Sequence, residues 1–226
     1  MANPSLSKSA TFKVLVVDDH EIVLGGTIDL LKQQYPDAEV FTAQTARSTL
    51  EQVQKVHPDL VVMDLSIPET EAQTARIDTG IQVLRTLMQT YSNLNLAVQS
   101  TYVRSLVRIR PEIDAHKGGF TAIDKSLSSQ DMLTRLDWAR QGVTHTKDIK
   151  GVQTGLEVKP EWLTLLTLAF GEGLQDKAIA KRMQVSERTV RHYWTKVQDV
   201  LEVYPEEGKN IRIQTEMRAR EEGLID

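Results

Sequence analysis

The chain has no cysteine anywhere in its 226 residues. Disulfides, thiolate nucleophiles and cysteine-held metals are therefore excluded, and the composition fits a reducing, cytoplasmic setting. No apolar run approaches the ~20 residues that a membrane-spanning helix needs, so no membrane partner is expected. The N-terminal MANPSLSKSA holds one lysine and no apolar core. It lacks the pattern of a signal peptide and is expected to be a short disordered tail. Internal repeats and low-complexity segments are missing as well. What remains is ordinary for a globular protein, 40% hydrophobic and 26% charged, at a length that suits two domains.

Acidic residues outnumber basic ones, for a formal charge of −4, which taken globally argues weakly against nucleic acid. The distribution argues otherwise. Lys177, Lys181, Arg182, Arg188, Arg191 and Lys196 fall within twenty residues and are opposed only by Glu187. A charge run of this kind is often a solvated helix face, so its meaning depends on what surrounds it.

From Phe12 to about Gln141, short apolar runs alternate with amphipathic stretches. The runs predict strands at Lys13–Val17, Glu39–Thr42, Leu60–Leu65, Asn95–Ser100 and Phe120–Asp124. Helices are predicted at Ile22–Gln34, Ala46–Val56, Gly80–Thr90, Val103–Ala115 and Gln130–Gln141, with Pro111 expected to break or kink the fourth near Arg110. Five βα units predict a five-stranded parallel, doubly wound sheet with helices on both faces. The polar stretch 69–79 is longer than an ordinary βα loop. A linker is expected at 142–157, where glycines and threonines replace periodicity. From 158 to 226 the chain reads as all-helical. There a short helix in QDKAIAKRM, a three-residue turn and a longer helix beginning after Ser186 make a helix-turn-helix.

Asp18 and Asp19 close the first strand run and Asp64 closes the third. In open α/β sheets ligands bind beyond the carboxyl ends of the strands, so the three carboxylates should share one crevice. Helix capping explains one acid per strand end, but not an adjacent pair plus a third. A cation such as Mg²⁺ relieves the repulsion. Ser100 ends the fourth strand and Lys125 follows the fifth, adding a hydroxyl donor and an ammonium. This set suits transfer of a phosphoryl group onto a carboxylate. The backbone carbonyl of Ser66, shaped by Pro68, is a further candidate metal ligand. His20 is a lone imidazole beside the acid pair and is read as a surface residue.

The motifs VLVVDDH, VVMDLSIP, the Ser100 strand end and DKS make residues 12–141 resemble the receiver (flavodoxin-like) domain of two-component response regulators. The resemblance implies Asp64 as phosphoacceptor, Asp18 and Asp19 as Mg²⁺ holders, Ser100 as switch hydroxyl and Lys125 as phosphate sensor. It also implies a sensor histidine kinase as phosphodonor. GLQDKAIAKRMQVSERTVRHY, with GLID near the end, resembles the LuxR-type helix-turn-helix of the NarL/FixJ class. That implies double-stranded DNA as partner and a homodimer on it. Arg191, His192 and Thr195 take the base-facing positions, and Lys177, Arg188 and Lys196 face phosphates. Ile179, Ala180, Met183, Val185 and Val190 fill the apolar positions between the two helices, and Trp162 and Trp194 are expected in the core. One departure stands out: Ala122 occupies the place where receivers usually carry Tyr or Phe. It keeps open an alternative, an interaction adaptor controlled by a protein partner docking on the receiver. Enzymatic turnover is not expected, since no general base for water is evident near Asp64.

Overall fold

The computed structural model describes residues 11–146 and 158–225. The expected N-terminal tail and most of the expected linker lie outside them. The described residues divide into two units, 11–100 with 116–145 and 101–115 with 146 and 158–225.

The first unit is built on β1 (Lys13–Val17), β2 (Glu39–Ala43), β3 (Leu60–Met63), β4 (Asn95–Ser100), β5 (Phe120–Asp124) and a two-residue β6 (Thr144–His145). The strands are all parallel, in the order β2-β1-β3-β4-β5-β6. Five of them are the predicted ones. The sixth falls inside the expected linker, where Thr144 and His145 extend the β5 edge without any apolar pattern to announce them.

Strands buried on both faces need apolar residues at every position, and Val14, Leu15, Val16 and Val17 are each no more than 2% exposed. Val14 and Val16 point to one face, where they pack with Leu31 of α1 (Glu21–Gln34) and Met132 and Leu136 of α5 (Ser129–Arg140). Leu15 and Val17 point to the other. There α2 (Ala46–Val56) packs on β1 and β2 and against α3 (Ile77–Thr90). A buried leucine or valine contributes about 1.5–3 kcal/mol, so this core holds the strand ends in place.

Two backbone details fix the loop leaving β3. Gly80 of α3 lies so close that a Cβ there would sit 2.1 Å from the Leu65 carbonyl oxygen. The first amides of α2 find acceptors in the same loop, Ala46 N–H on Pro68 O (2.9 Å) and Arg47 N–H on Glu69 O (3.3 Å). Thr45 and Ser48 complete that helix end with a reciprocal capping box. The long stretch after Pro68 is closed by a bridge between Ile67 and Arg76, so α3 begins at Ile77, earlier than periodicity suggested.

In the second unit, residues Val103–Ile109 form a 3₁₀ stretch that leads into α4 (Arg110–Ala115). Pro111 sits in the first turn, where its missing N–H costs nothing. Val107 packs on the unit's apolar core, and Arg104 pairs with Glu222. The helices α6 (Pro160–Leu166), α7 (Asp176–Met183), α8 (Glu187–Val200) and α9 (Ile211–Glu221) follow, α6 running into a wider π-type turn at Thr167–Gly171. The α7–α8 turn uses Gln184 in the left-handed region (φ 57°), and Ser186 Oγ accepts the Thr189 N–H as N-cap. Trp162, Ile179, Ala180, Val190 and Trp194 are buried in one cluster, with Met183 and Val185 packed at its edge.

Candidate functional site: an acidic pocket and a basic helix

The sheet order places β1 between β2 and β3, so the chain's winding reverses at the β1/β3 pair. A crevice opens there at the strands' carboxyl ends. Asp18 and Asp19 leave β1 at that point and Asp64 leaves β3. Asp64 is 5% exposed and Asp18 4%.

Each oxygen of Asp64 has partners. Oδ1 accepts the Leu65 amide (2.6 Å) and the Ser66 amide (3.3 Å), and Oδ2 accepts Lys125 Nζ (2.6 Å). Lys125 Nζ also donates to Asp18 Oδ2 (2.8 Å). The ammonium thus bridges two of the three acids. Burial works against its charge, but hydrogen bonds to Asp18 and Asp64, with their Coulomb attraction, outweigh that and hold its pKa above the ordinary lysine value. Ser100 is fully buried at the end of β4, and its carbonyl accepts the Lys125 amide (3.3 Å). The structure therefore gathers Asp18, Asp64 and Lys125 in direct contact and sets Ser100 one strand away. Ser66 enters through its amide.

Asp18, Asp19 and His20 bring three possible metal-ligand atoms within 4.8 Å of one another. His20 is exposed; its Nδ1 lies 2.8 Å from Asp19 Oδ1, without hydrogen-bond geometry. That oxygen is buried and has no hydrogen-bond donor. A buried, undonated carboxylate oxygen beside a second carboxylate is what a hard, oxygen-seeking cation requires. The donor set fits Mg²⁺, which receiver domains in general bind at this pocket. A cleft of about 480 Å³ lies elsewhere. It is lined by His57–Asp59 and Thr90–Asn95, the loops that enter β3 and β4 at the opposite end of the sheet, and it takes no part in this chemistry.

In the second unit, Lys177, Arg188, Arg191, His192 and Thr195 are all exposed. Lys196 differs, being half-buried and paired with Asp199 at 3.4 Å. Lys181 and Arg182 of α7 are exposed too. A further cluster lies behind this surface. Asp176, Trp194 and Arg212 meet there, 18 and 36 residues apart, and no local pattern announces it.

The switch-point acids, the bridging ammonium and the parallel sheet define a receiver-type module. The chain belongs to the response regulator receiver domain family, which matches residues 14–137, more than half of its length. With its helical second unit it is a two-component response regulator of the NarL/FixJ class, as its motifs implied. Among curated relatives, the DNA-binding transcriptional activator DevR/DosR of Mycobacterium tuberculosis is 27% identical over 198 residues, 80% of this chain and 84% of its own. The transcriptional regulatory protein YdfI of Bacillus subtilis is 25% identical over 225 residues, 94% and 97% of the two chains. Among solved structures, two RcsB dimers bound to two parallel DNAs superpose with a TM-score of 0.61 at 18% identity, covering 93% of this chain and 98% of that one. At that identity the likeness speaks for the fold. No described helix is long and apolar enough to cross a membrane.

Proposed function

We propose that this protein is a DNA-binding transcriptional regulator whose activity is set by phosphorylation of Asp64 by a sensor histidine kinase. The observation that carries the reading is the Lys125 bridge at the β1/β3 switch point. A carboxylate held by one ammonium, beside an undonated acid oxygen, is prepared to accept a group rich in anionic oxygens. The relatives, a DNA-binding transcriptional activator and a transcriptional regulatory protein among them, and the exposed cations of α7 and α8 support the DNA-binding half.

In the proposed transfer an Asp64 carboxylate oxygen attacks phosphorus, and the donor's nitrogen–phosphorus bond breaks. The nitrogen keeps the bonding pair, and Asp64 becomes an acyl phosphate. Asp18 and Asp19 would hold Mg²⁺, which when bound supplies positive charge against the phosphoryl oxygens. Lys125, already within hydrogen-bond reach of Asp64, turns to a phosphoryl oxygen, and Ser100 donates to another. Arg191, His192 and Thr195 read base edges from the major groove, while Lys177, Arg188 and Lys196 set affinity through phosphates. A homodimer on paired half-sites is the working form, supported by the exposed apolar pair Ile213 and Met217 on α9. The protein regulates and does not turn over a substrate, and a cytoplasmic location follows from that role.

Incubation with acetyl phosphate and Mg²⁺, read by intact mass, tests the proposal. Wild type gains one phosphoryl group and Asp64→Asn gains none. Wild type without such a gain would sink the phosphorylation reading. It would favour the adaptor alternative, which Ala122 supports: buried in β5, with its carbonyl accepting Arg135 Nη1 at 2.7 Å, it offers no aromatic ring to swing.

A further inference from the structure

The cluster behind the basic face, with Trp194 buried and Asp176 and Arg212 part-exposed, joins three helices at one carboxylate. Asp176 is the first residue of α7. Its Oδ1 accepts Trp194 Nε1–H (3.0 Å) from the middle of α8. The same carboxylate takes Arg212 Nη2 through both oxygens, at 3.1 and 3.0 Å, from the second residue of α9. Arg212 in turn lies over the Trp194 ring, its Cζ 3.5 Å from the centroid, and Phe170 meets that ring edge-on at 5.5 Å. The indole is 3% exposed and clasped on all of these sides.

An indole fixed by face, edge and N–H cannot turn about its helix axis. Packing of aliphatic side chains alone tolerates small rolls of a helix, but a directional N–H bond and a stacked guanidinium do not. Trp194 lies next to Thr195 and less than one turn from Arg191, the residues assigned to base edges. With a side-chain-inclusive diameter of about 10–12 Å, a roll of α8 by ~20° moves those tips by about 2 Å. Productive site geometry tolerates about 0.5 Å and 10–20°.

Resting on the DNA-binding reading above, we infer that Asp176, Trp194 and Arg212 are positioning residues that set the roll of α8 and so determine its sequence selectivity, without touching DNA. Nonspecific affinity depends on cations and phosphates and is insensitive to such a roll.

The full-length chain is first used to select a duplex from random sequence. Affinities for that duplex and for an unrelated one of equal length are then measured for wild type, Trp194→Phe, Arg212→Lys and Val200→Ala. Trp194→Phe keeps the ring and removes the N–H; Arg212→Lys keeps the charge and loses the planar stack. Val200 is a core residue outside the clasp and serves as a stability control. Both clasp variants should lose on the order of tenfold in the ratio of specific to nonspecific affinity, the scale of one lost bidentate base contact. Nonspecific affinity and its salt slope should hold. Val200→Ala should melt lower and keep the ratio. An unchanged ratio in the folded clasp variants overturns the inference, as does an equal fall in Val200→Ala at matched loss of stability. Failure of wild type to enrich any sequence overturns the DNA-binding reading itself, a separate result.

Discussion

Lys125 is the keystone of the acidic pocket, and replacing it with Met isolates its contribution. The ammonium donates to Asp18 at 2.8 Å and Asp64 at 2.6 Å, and its side chain is only 18% exposed. Removing one partner of a buried ion pair costs about 3–5 kcal/mol, because a desolvated charge is left behind. Here the cost falls near the lower end, since the substitution also spares the desolvation of Lys125 itself. A loss of about 3 kcal/mol lowers the melting temperature by on the order of 10 °C for a unit of this size. Thermal unfolding in metal-free buffer measures it. Repeating the melt with Mg²⁺ adds a second reading, because a cation bound by the folded state alone stabilises by mass action. With the ammonium gone, Mg²⁺ should raise the variant's melting temperature more than that of wild type. The pH dependence has a fixed sign as well. A raised folded-state pKa means that the Lys125 contribution is complete below its ordinary value of 10.5 and is lost as pH climbs through the higher folded value. Wild type should therefore lose stability in that alkaline window, and Lys125→Met should lack this part of the decline. A variant that melts within about 1 kcal/mol of wild type and responds to Mg²⁺ identically would refute the bridging argument.

Gly80→Ala drives a methyl to 2.1 Å from the Leu65 carbonyl, so α3 or the acceptor loop must shift. We expect a loss of about 1–3 kcal/mol in denaturant melts and slower labelling of Asp64 by acetyl phosphate. Ser186→Ala removes the hydroxyl that accepts the Thr189 amide and should cost about 1 kcal/mol, whereas Ser186→Asp should largely restore stability. Arg191→Ala should reduce discrimination at one base position by about 1–3 kcal/mol in binding-site selection. Its affinity for unrelated DNA should change much less.

The residues that carry chemistry in the first unit were legible because they sit at the ends of strands with no polar interruption. β1, β4 and β5 match their predicted limits, and Asp18, Asp64 and Lys125 meet as parallel strand ends require. Legibility fails where geometry is set by backbone or by distant partners. The sixth strand, Thr144–His145, exists only because β5 offers an edge. Helix α3 starts at Ile77 because the Ile67–Arg76 bridge closes the preceding loop, a pairing that hydrophobic periodicity does not encode. The break expected near Arg110 in Val103–Ala115 is present, but periodicity does not show that Val103–Ile109 winds as a 3₁₀ stretch before α4 starts at Arg110. The Asp176–Trp194–Arg212 clasp needs three helices folded before its members meet.

The hydrogen bonds from Ala46 and Arg47 to Pro68 and Glu69 make α2 a built-in gauge of the acceptor loop. These two amides are protected from solvent exchange only while the loop beyond Asp64 holds its place. If phosphorylation moves that loop, the change will register as faster deuterium uptake at the start of a helix that carries none of the pocket's chemistry. Loop motion could then be timed from Ala46 and Arg47 alone, separately from any change in DNA binding.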